Sequence, residues 1–259
     1  MKVEMKDVCF GYNQSGPVIR DINLTLDEPG LYCIVGPNGV GKSTLIKCIN
    51  KINKPISGTV TIDGKDVASM SYREVAERIG YVPVRSYDVF SLPVTEAVLM
   101  GRSNKHRWKT TKEDLIMVNR ALRIVGIQDL AMRNMNELSA GQYQKVAIAK
   151  GLVQEPELLI LDEPTANLDV KLQVYVSELL RALAEEENMI ILMISHDLNI
   201  AAKYAHQLIV MSPPGIIHSI GAPKEILTSE LISSVYDVDC KIIEEDGTPV
   251  VILGSVHSI

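Results

Sequence analysis

Leu31-Tyr32-Cys33-Ile34-Val35-Gly36-Pro37-Asn38-Gly39-Val40-Gly41-Lys42-Ser43-Thr44-Leu45-Ile46-Lys47-Cys48-Ile49 is the stretch that decides the fold. An apolar run of strand character enters a glycine-rich turn, and the chain leaves at helical spacing. The turn has the pattern G-x-x-x-x-G-K-[ST], and a strand before it with a helix after it is the setting of a phosphate-binding loop. Glycines let the backbone fold tightly enough for successive N–H groups to face one anion. The helix adds its unpaired N-terminal donors and roughly half a positive charge. In such a loop Lys42 supplies a mobile point charge to the outer phosphates, and the Ser43 hydroxyl is a ligand for Mg²⁺.

The rest of the chain sets bounds on that reading. Apolar residues make up 46% of the 259 residues and charged residues 22%, ordinary values for a globular protein with a large core. The net charge of −6 gives no support to nucleic-acid binding. Cys9, Cys33, Cys48 and Cys240 lie far apart with no C-x-x-C pair, which fits a reducing compartment. The opening Met1-Lys2-Val3-Glu4-Met5-Lys6 alternates charge and apolarity, unlike a signal peptide. Apolar runs such as Met189 to Ile194 fall far short of the ~20 residues of a spanning helix, so the chain is not expected to cross a membrane by itself.

Alternating patterns over residues 2–12, 18–26 and 59–62 predict three strands in a small antiparallel layer. The helix after the loop is expected to stop near Asn53, ahead of Pro55. Ser71-Tyr72-Arg73-Glu74 is a helix start, and that helix should end near Gly80. Residues 86–154 read as mostly helical, with Thr95, Thr111 and Ser139 as caps, and predict a helical subdomain inserted into an α/β core formed by residues 1–85 and 155–259. Its basic run from Arg102 to Lys109 reads as a solvated loop. Leu158–Leu161 and Met189–Ile194 are unbroken apolar runs suited to central parallel strands, with a helix over Lys171–Glu186 between them and a third run at Leu208–Met211. The predicted fold class is therefore α/β, of the phosphate-loop NTPase type: a mainly parallel sheet, an antiparallel β layer and the inserted helical subdomain. Ligands bind such sheets at the carboxyl ends of strands, which brings Gly36–Ser43, Asp162-Glu163 and His196 to one edge.

Asp162 closes an apolar strand, where a carboxylate serving Mg²⁺ belongs. Glu163 is expected on the other side of that strand, placed to orient or deprotonate a water attacking a γ-phosphate. Leu138-Ser139-Ala140-Gly141-Gln142 begins another helix with a capping box and offers a second anion site.

With these motifs in this order, the sequence resembles the ATP-binding cassette (ABC) family over essentially its whole length. Gly36–Ser43 is similar to its Walker A motif and Leu158–Glu163 to Walker B with the catalytic glutamate. Leu138–Gln142 resembles the signature motif, Ala166-Asn167-Leu168-Asp169 the D-loop, and His196 the switch histidine. Tyr12 is similar to the aromatic that stacks on adenine. The resemblance implies ATP and Mg²⁺ as cofactors, with Glu163, His196 and Lys42 catalytic and Ser43 and Asp162 on the metal. It also implies that ATP meets Tyr12, Gly36, Pro37, Asn38, Gly39, Val40, Gly41, Lys42, Ser43 and Thr44, and meets Ser139, Ala140, Gly141 and Gln142 across a head-to-tail dimer. One set of motifs per chain means that a second cassette, expected to be a second copy, must complete the sites. Two departures stand out. Ala140 replaces a usual glycine, at little helical cost. Val84 stands where the family usually has the Q-loop glutamine, and valine cannot ligate Mg²⁺ or hold a water.

Two jobs compete: the energising subunit of a membrane transporter, and a soluble ABC ATPase of DNA or ribosome work. The compact single cassette favours transport. The stretches Val89–Glu96 and Gly221–Leu227, followed by Val235-Tyr236-Asp237-Val238, are similar to importers of iron-siderophore, haem or cobalamin type, with importers of other substrates, metals among them, as the alternative. That resemblance implies integral permease subunits, an extracytoplasmic substrate-binding protein, and a peripheral place on the cytoplasmic side of the membrane. The residues around 84–108, with Val89, Phe90 and Leu92, are the expected permease contact.

Overall fold

The computed structural model describes residues 1–12, 16–84, 91–103 and 110–256. Ser86, Val89, Phe90 and the basic stretch from 104 to 109 fall outside the described residues. The chain opens with β1 (Val3–Phe10), β2 (Ile19–Leu26) and β3 (Gly30–Val35), then α1 (Lys42–Ile49), β4 (Ser57–Ile62) and β5 (Lys65–Asp66). β2, β1, β4 and β5 lie side by side, each antiparallel to its neighbour, as the three alternating patterns predict, with β5 as a short addition. Next come α2 (Tyr72–Arg78) and β6 (Ile79–Val82). Ser71 and Glu74 form a reciprocal capping box at the start of α2.

α1 stops short of the expected Asn53. Asn50 is its C-cap, and Lys51 takes a left-handed φ of 64°, which no sequence signal marks because lysine is an unusual residue there. The Asn53 N–H then returns to the Lys47 carbonyl at 2.8 Å.

Between β6 and β7 (Leu158–Leu161) the described residues form α3 (Val94–Leu99), α4 (Lys112–Ile124) and α5 (Ala140–Leu152) with short 3₁₀ turns. Thr111 and Ser139 cap α4 and α5 through capping boxes with Asp114 and Gln142. Thr95 is not a cap. The N-cap of α3 is Pro93, and the Thr95 hydroxyl donates instead to the Ala131 carbonyl at 2.7 Å. The chain continues through α6 (Val170–Glu186), β8 (Ile190–Ile194), α7 (Leu198–Tyr204), β9 (Gln207–Ser212) and β10 (Ile216–Gly221). It ends with α8 (Pro223–Ile226), α9 (Ser229–Tyr236) and a hairpin of β11 (Val238–Glu245) and β12 (Thr248–Val256).

The main sheet has the order β10-β9-β3-β8-β7-β6 and is parallel except for β10. Every residue of β3, β7 and β8 is buried, which explains why these strands read as unbroken apolar runs. Their alternation divides two cores. Leu31, Cys33, Leu159, Leu161, Ile191 and Met193 pack with the helices α3 to α7. Tyr32, Ile34, Leu158, Ile160, Leu192 and Ile194 pack with α1 and the antiparallel layer. Each fully buried Leu or Ile stabilises the fold by about 1.5–3 kcal/mol, so the phosphate loop hangs from a strand anchored on both faces.

Arg102, in the 3₁₀ turn after α3, and Asp114 of α4 are 4% and 2% exposed and pair at 2.6 Å. The guanidinium also donates to the Val153 carbonyl at 3.0 Å and lies 3.5 Å from Glu155. Asp114 in turn accepts from the N–H and hydroxyl of Thr111 at 2.9 and 2.8 Å. Removing one partner strands a charge in the interior. Asp114→Ala is expected to lower unfolding free energy by about 3–5 kcal/mol in chemical denaturation, while Asp129→Ala, on an exposed turn, should leave the midpoint unchanged.

Candidate nucleotide-binding site

The site begins where β3 ends. Gly41, the N-cap of α1, has φ 105°, and a Cβ there would sit 2.5 Å from Ile19 Cγ2. Gly36 has φ 150°, and its Cβ would lie 2.3 Å from the Met211 carbonyl oxygen. Both positions thus demand glycine for backbone conformation and for space. Lys42 is 6% exposed, and its Nζ donates to the Gly36 and Pro37 carbonyls at 2.7 and 2.9 Å. The loop therefore holds the ammonium group by its own carbonyls. Burial pulls the Lys42 pKa down, with the charges of Glu163 and Asp162 acting against that.

The acids arrive from β7. Asp162 is 4% exposed, its N–H bonds to the Val82 carbonyl, and its Oδ1 accepts from the Ser43 hydroxyl at 3.0 Å. Burial holds its carboxyl above the usual range. The Ser43 hydrogen bond opposes that shift, Glu163 adds to it, and Lys47 counters it. Glu163 is not carried to the far side of a strand by alternation as expected, because β7 ends at Leu161. Its backbone is instead left-handed, φ 52°. Its Oε1 lies 2.6 Å from Nε2 of His196, which follows β8. An ionised carboxylate only accepts, so the imidazole donates from Nε2. The strand-end rule thus places the loop, both acids and His196 at one edge, as the sequence predicts.

Tyr81 of β6 is a neighbour of the Asp162 carboxylate that the sequence analysis missed. Its phenol is pushed up to about 12 by burial and then by the neighbouring Asp162 carboxylate. Parallel pairing of β6 with β7 was the available signal, since it sets Tyr81 opposite Ile160, two residues before Asp162. Tyr12 is 57% exposed, and its hydroxyl lies 3.3 Å from Thr44 Oγ1. Ser139 and Ala140 are exposed at the start of α5, where Ser139 and Gln142 satisfy each other's backbone N–H groups. Gly141 is buried, and a Cβ on it would come within 2.2 Å of Leu172 in the first turn of α6.

Among the described residues no cluster of three or more His, Cys, Asp or Glu side chains could cage a metal. One buried carboxylate beside one hydroxyl does fit Mg²⁺, a hard cation that keeps waters and takes its remaining oxygens from a bound triphosphate. Fold and site together define a phosphate-loop nucleotide-binding protein built on a parallel sheet. The family model described as ABC transporter matches residues 19–166, more than half of the chain. An uncharacterized ABC transporter ATP-binding protein of Methanocaldococcus jannaschii is 38% identical over 97% of this chain and 98% of its own length. The ferric enterobactin transport ATP-binding protein of Escherichia coli is 39% identical, with coverage of 89% and 87%. A dimeric ATP-binding cassette, solved with ADP and Pi in a post-hydrolysis state, superposes with a TM-score of 0.74 at 27% identity over 85% of this chain and 98% of that one. The chain belongs to the ABC transporter family, as its nucleotide-binding ATPase cassette.

The buried Asp162 carboxylate sets stability against binding. A carboxyl with a raised pKa costs stability while it is ionised, and the cost is relieved as pH falls through that pKa. Asp162→Asn removes the charge at every pH. It is expected to raise the melting temperature of the nucleotide-free chain, by roughly 2–4 °C for each kcal/mol relieved, and to abolish the Mg²⁺-dependent part of the shift that ATP produces. Differential scanning fluorimetry with and without Mg²⁺ reads both effects.

Proposed function

We propose that the chain is the ATP-hydrolysing subunit of an importer for an iron chelate, haem or cobalamin, paired as a dimer of cassettes and bound to membrane subunits on separate chains. The observation that carries the hydrolytic part is the Glu163–His196 contact at 2.6 Å beside the Ser43–Asp162 pair. Support for the cargo class comes from relatives named for ferric enterobactin and for siderophore transport.

The roles follow from these positions. The phosphate loop and the α1 N-terminus bind the triphosphate, and Lys42 turns from the loop carbonyls to the outer phosphates. Ser43 and Asp162 would hold Mg²⁺, which would supply positive charge against the phosphates. Glu163 accepts a proton from the attacking water. His196, donating to Glu163, holds that carboxylate in place. Tyr12 offers its ring to adenine. Ser139, Ala140, Gly141 and Gln142, exposed or at the helix start, meet the ATP held by the partner cassette, so binding favours the closed pair and hydrolysis releases it. Residues 86–154 act as the helical signature subdomain, and residues 1–85 with 155–259 as the core.

A groove of about 270 Å³, lined by Val84, Leu92, Met100, Met135 and Tyr143 among others, is proposed to receive the permease. No helix among the described residues is long and apolar enough to cross a membrane. The cassette is proposed to sit peripherally on the cytoplasmic side, against the permease. An extracytoplasmic binding protein completes the proposed importer, and nucleic acid has no part in it.

Glu163→Gln is expected to keep ATP binding, lower turnover by at least ~100-fold and accumulate an ATP-bound dimer in size-exclusion chromatography. Near-normal turnover would reassign the water to another group, His196 first. Val84, just past β6, is 46% exposed and offers only methyls to the site edge. Val84→Gln is expected to raise kcat while leaving the ATP Kd unchanged, because a positioned polar contact acts on orientation in the transition state. Steady-state kinetics beside equilibrium binding will separate the two.

A further inference from the structure

Tyr12 is anchored by more than its ring. Phe10 packs edge-on against it, with centroids 4.9 Å apart and planes at 88°. Its hydroxyl lies between two groups: Thr44 Oγ1 at 3.3 Å, and the side-chain amide of Asn53, whose Nδ2 donates at 3.3 Å. Both come from α1 or its immediate continuation. Thr44 is in the first turn, and Asn53 sits in the bend made by left-handed Lys51 and the Asn53 N–H bond to Lys47. The early end of α1 is what brings Asn53 to this place. Continued helix to residue 53 would point its backbone N–H to Ile49 and remove the bend.

A phenol oxygen accepts hydrogen bonds and carries one proton. With Asn53 donating to it, the hydroxyl also meets Thr44 Oγ1, giving or taking a proton there, so it is held from two sides. We propose that Asn53 is a positioning residue for nucleotide selection: it holds the Tyr12 hydroxyl so that the exposed ring stands ready for the base. The proposal rests on the reading of Tyr12 as the adenine platform. A ring fixed before binding loses less freedom when the base arrives, so affinity for base-bearing ligands rises. Inorganic triphosphate engages only the loop and α1, and gains nothing from Asn53.

The test is calorimetric titration of the full chain with ATP and with inorganic triphosphate, both with Mg²⁺. Asn53→Ala and Tyr12→Phe should each weaken ATP binding roughly three- to tenfold, the worth of one hydrogen bond, and leave triphosphate binding unchanged. The double variant should be no weaker than either single one. Asn53→Leu, close in size and without a polar group, should match Asn53→Ala and guards against a folding defect. Equal losses for both ligands, no loss for ATP, or a full Asn53→Ala effect persisting in Tyr12→Phe would each overturn the proposal. Tyr12→Ala separates the two levels. Wild-type ATP affinity in that variant overturns the platform reading itself, while a loss there with none in Asn53→Ala overturns only the part given to Asn53.

Discussion

The hydrogen bond between Ser43 and Asp162, 3.0 Å long, joins residues 119 positions apart, and the rest of the architecture is what makes it possible. The loop follows β3, the acids follow β7, and β8 lies between these two strands in the same parallel sheet. Parallel strands end on the same edge, so a serine after one and an aspartate after another approach only if the strands keep register over their whole length. That register is fixed by the pairing of Leu31–Ile34 with Ile191–Ile194 and of Leu158–Leu161 with Ile190–Met193. Because all of these residues are buried, a one-residue slip would exchange the two cores. The catalytic edge is thus held by apolar packing on both faces rather than by the polar groups that line it.

Those polar groups work against the fold. Burial lowers the Lys42 pKa and raises that of Asp162, so each charge is held where water would hold it better. Glu163 adds a backbone in the left-handed region, which a non-glycine residue adopts only at some cost. The sites of discomfort coincide with the groups proposed to meet a polyanion and its metal. Phosphate beside Lys42 and a cation beside Asp162 would relieve the two buried charges, and so would contribute to the driving force for nucleotide binding.

Much of this was legible in the sequence because it rests on local rules. The strand–loop–helix of residues 31–49, the capping boxes at Ser71, Thr111 and Ser139, and the buried runs of β7 and β8 are each written in adjacent residues. What escaped depends on unusual backbone or on neighbours distant in sequence. Lys51 and Glu163 take conformations usually marked by glycine or asparagine. Thr95 looks like a cap, yet the proline two residues earlier is the one that starts α3. Tyr81 gained its carboxylate neighbour only through strand pairing. The terminal hairpin was overlooked despite a usable signal: Asp246-Gly247, both with positive φ, sit between alternating segments as a two-residue hairpin turn requires.

Arg102 has a mechanical meaning beyond its contribution to stability. One guanidinium reaches the beginning of α4, the carbonyl that closes α5 and, through Glu155, the chain just before it enters β7. The start of α4 and the single stretch running from the end of α5 toward β7 therefore share one side chain as a pivot. The Arg102–Asp114 pair lies in a dry interior, so water does not soften the joint between α4 and the end of α5.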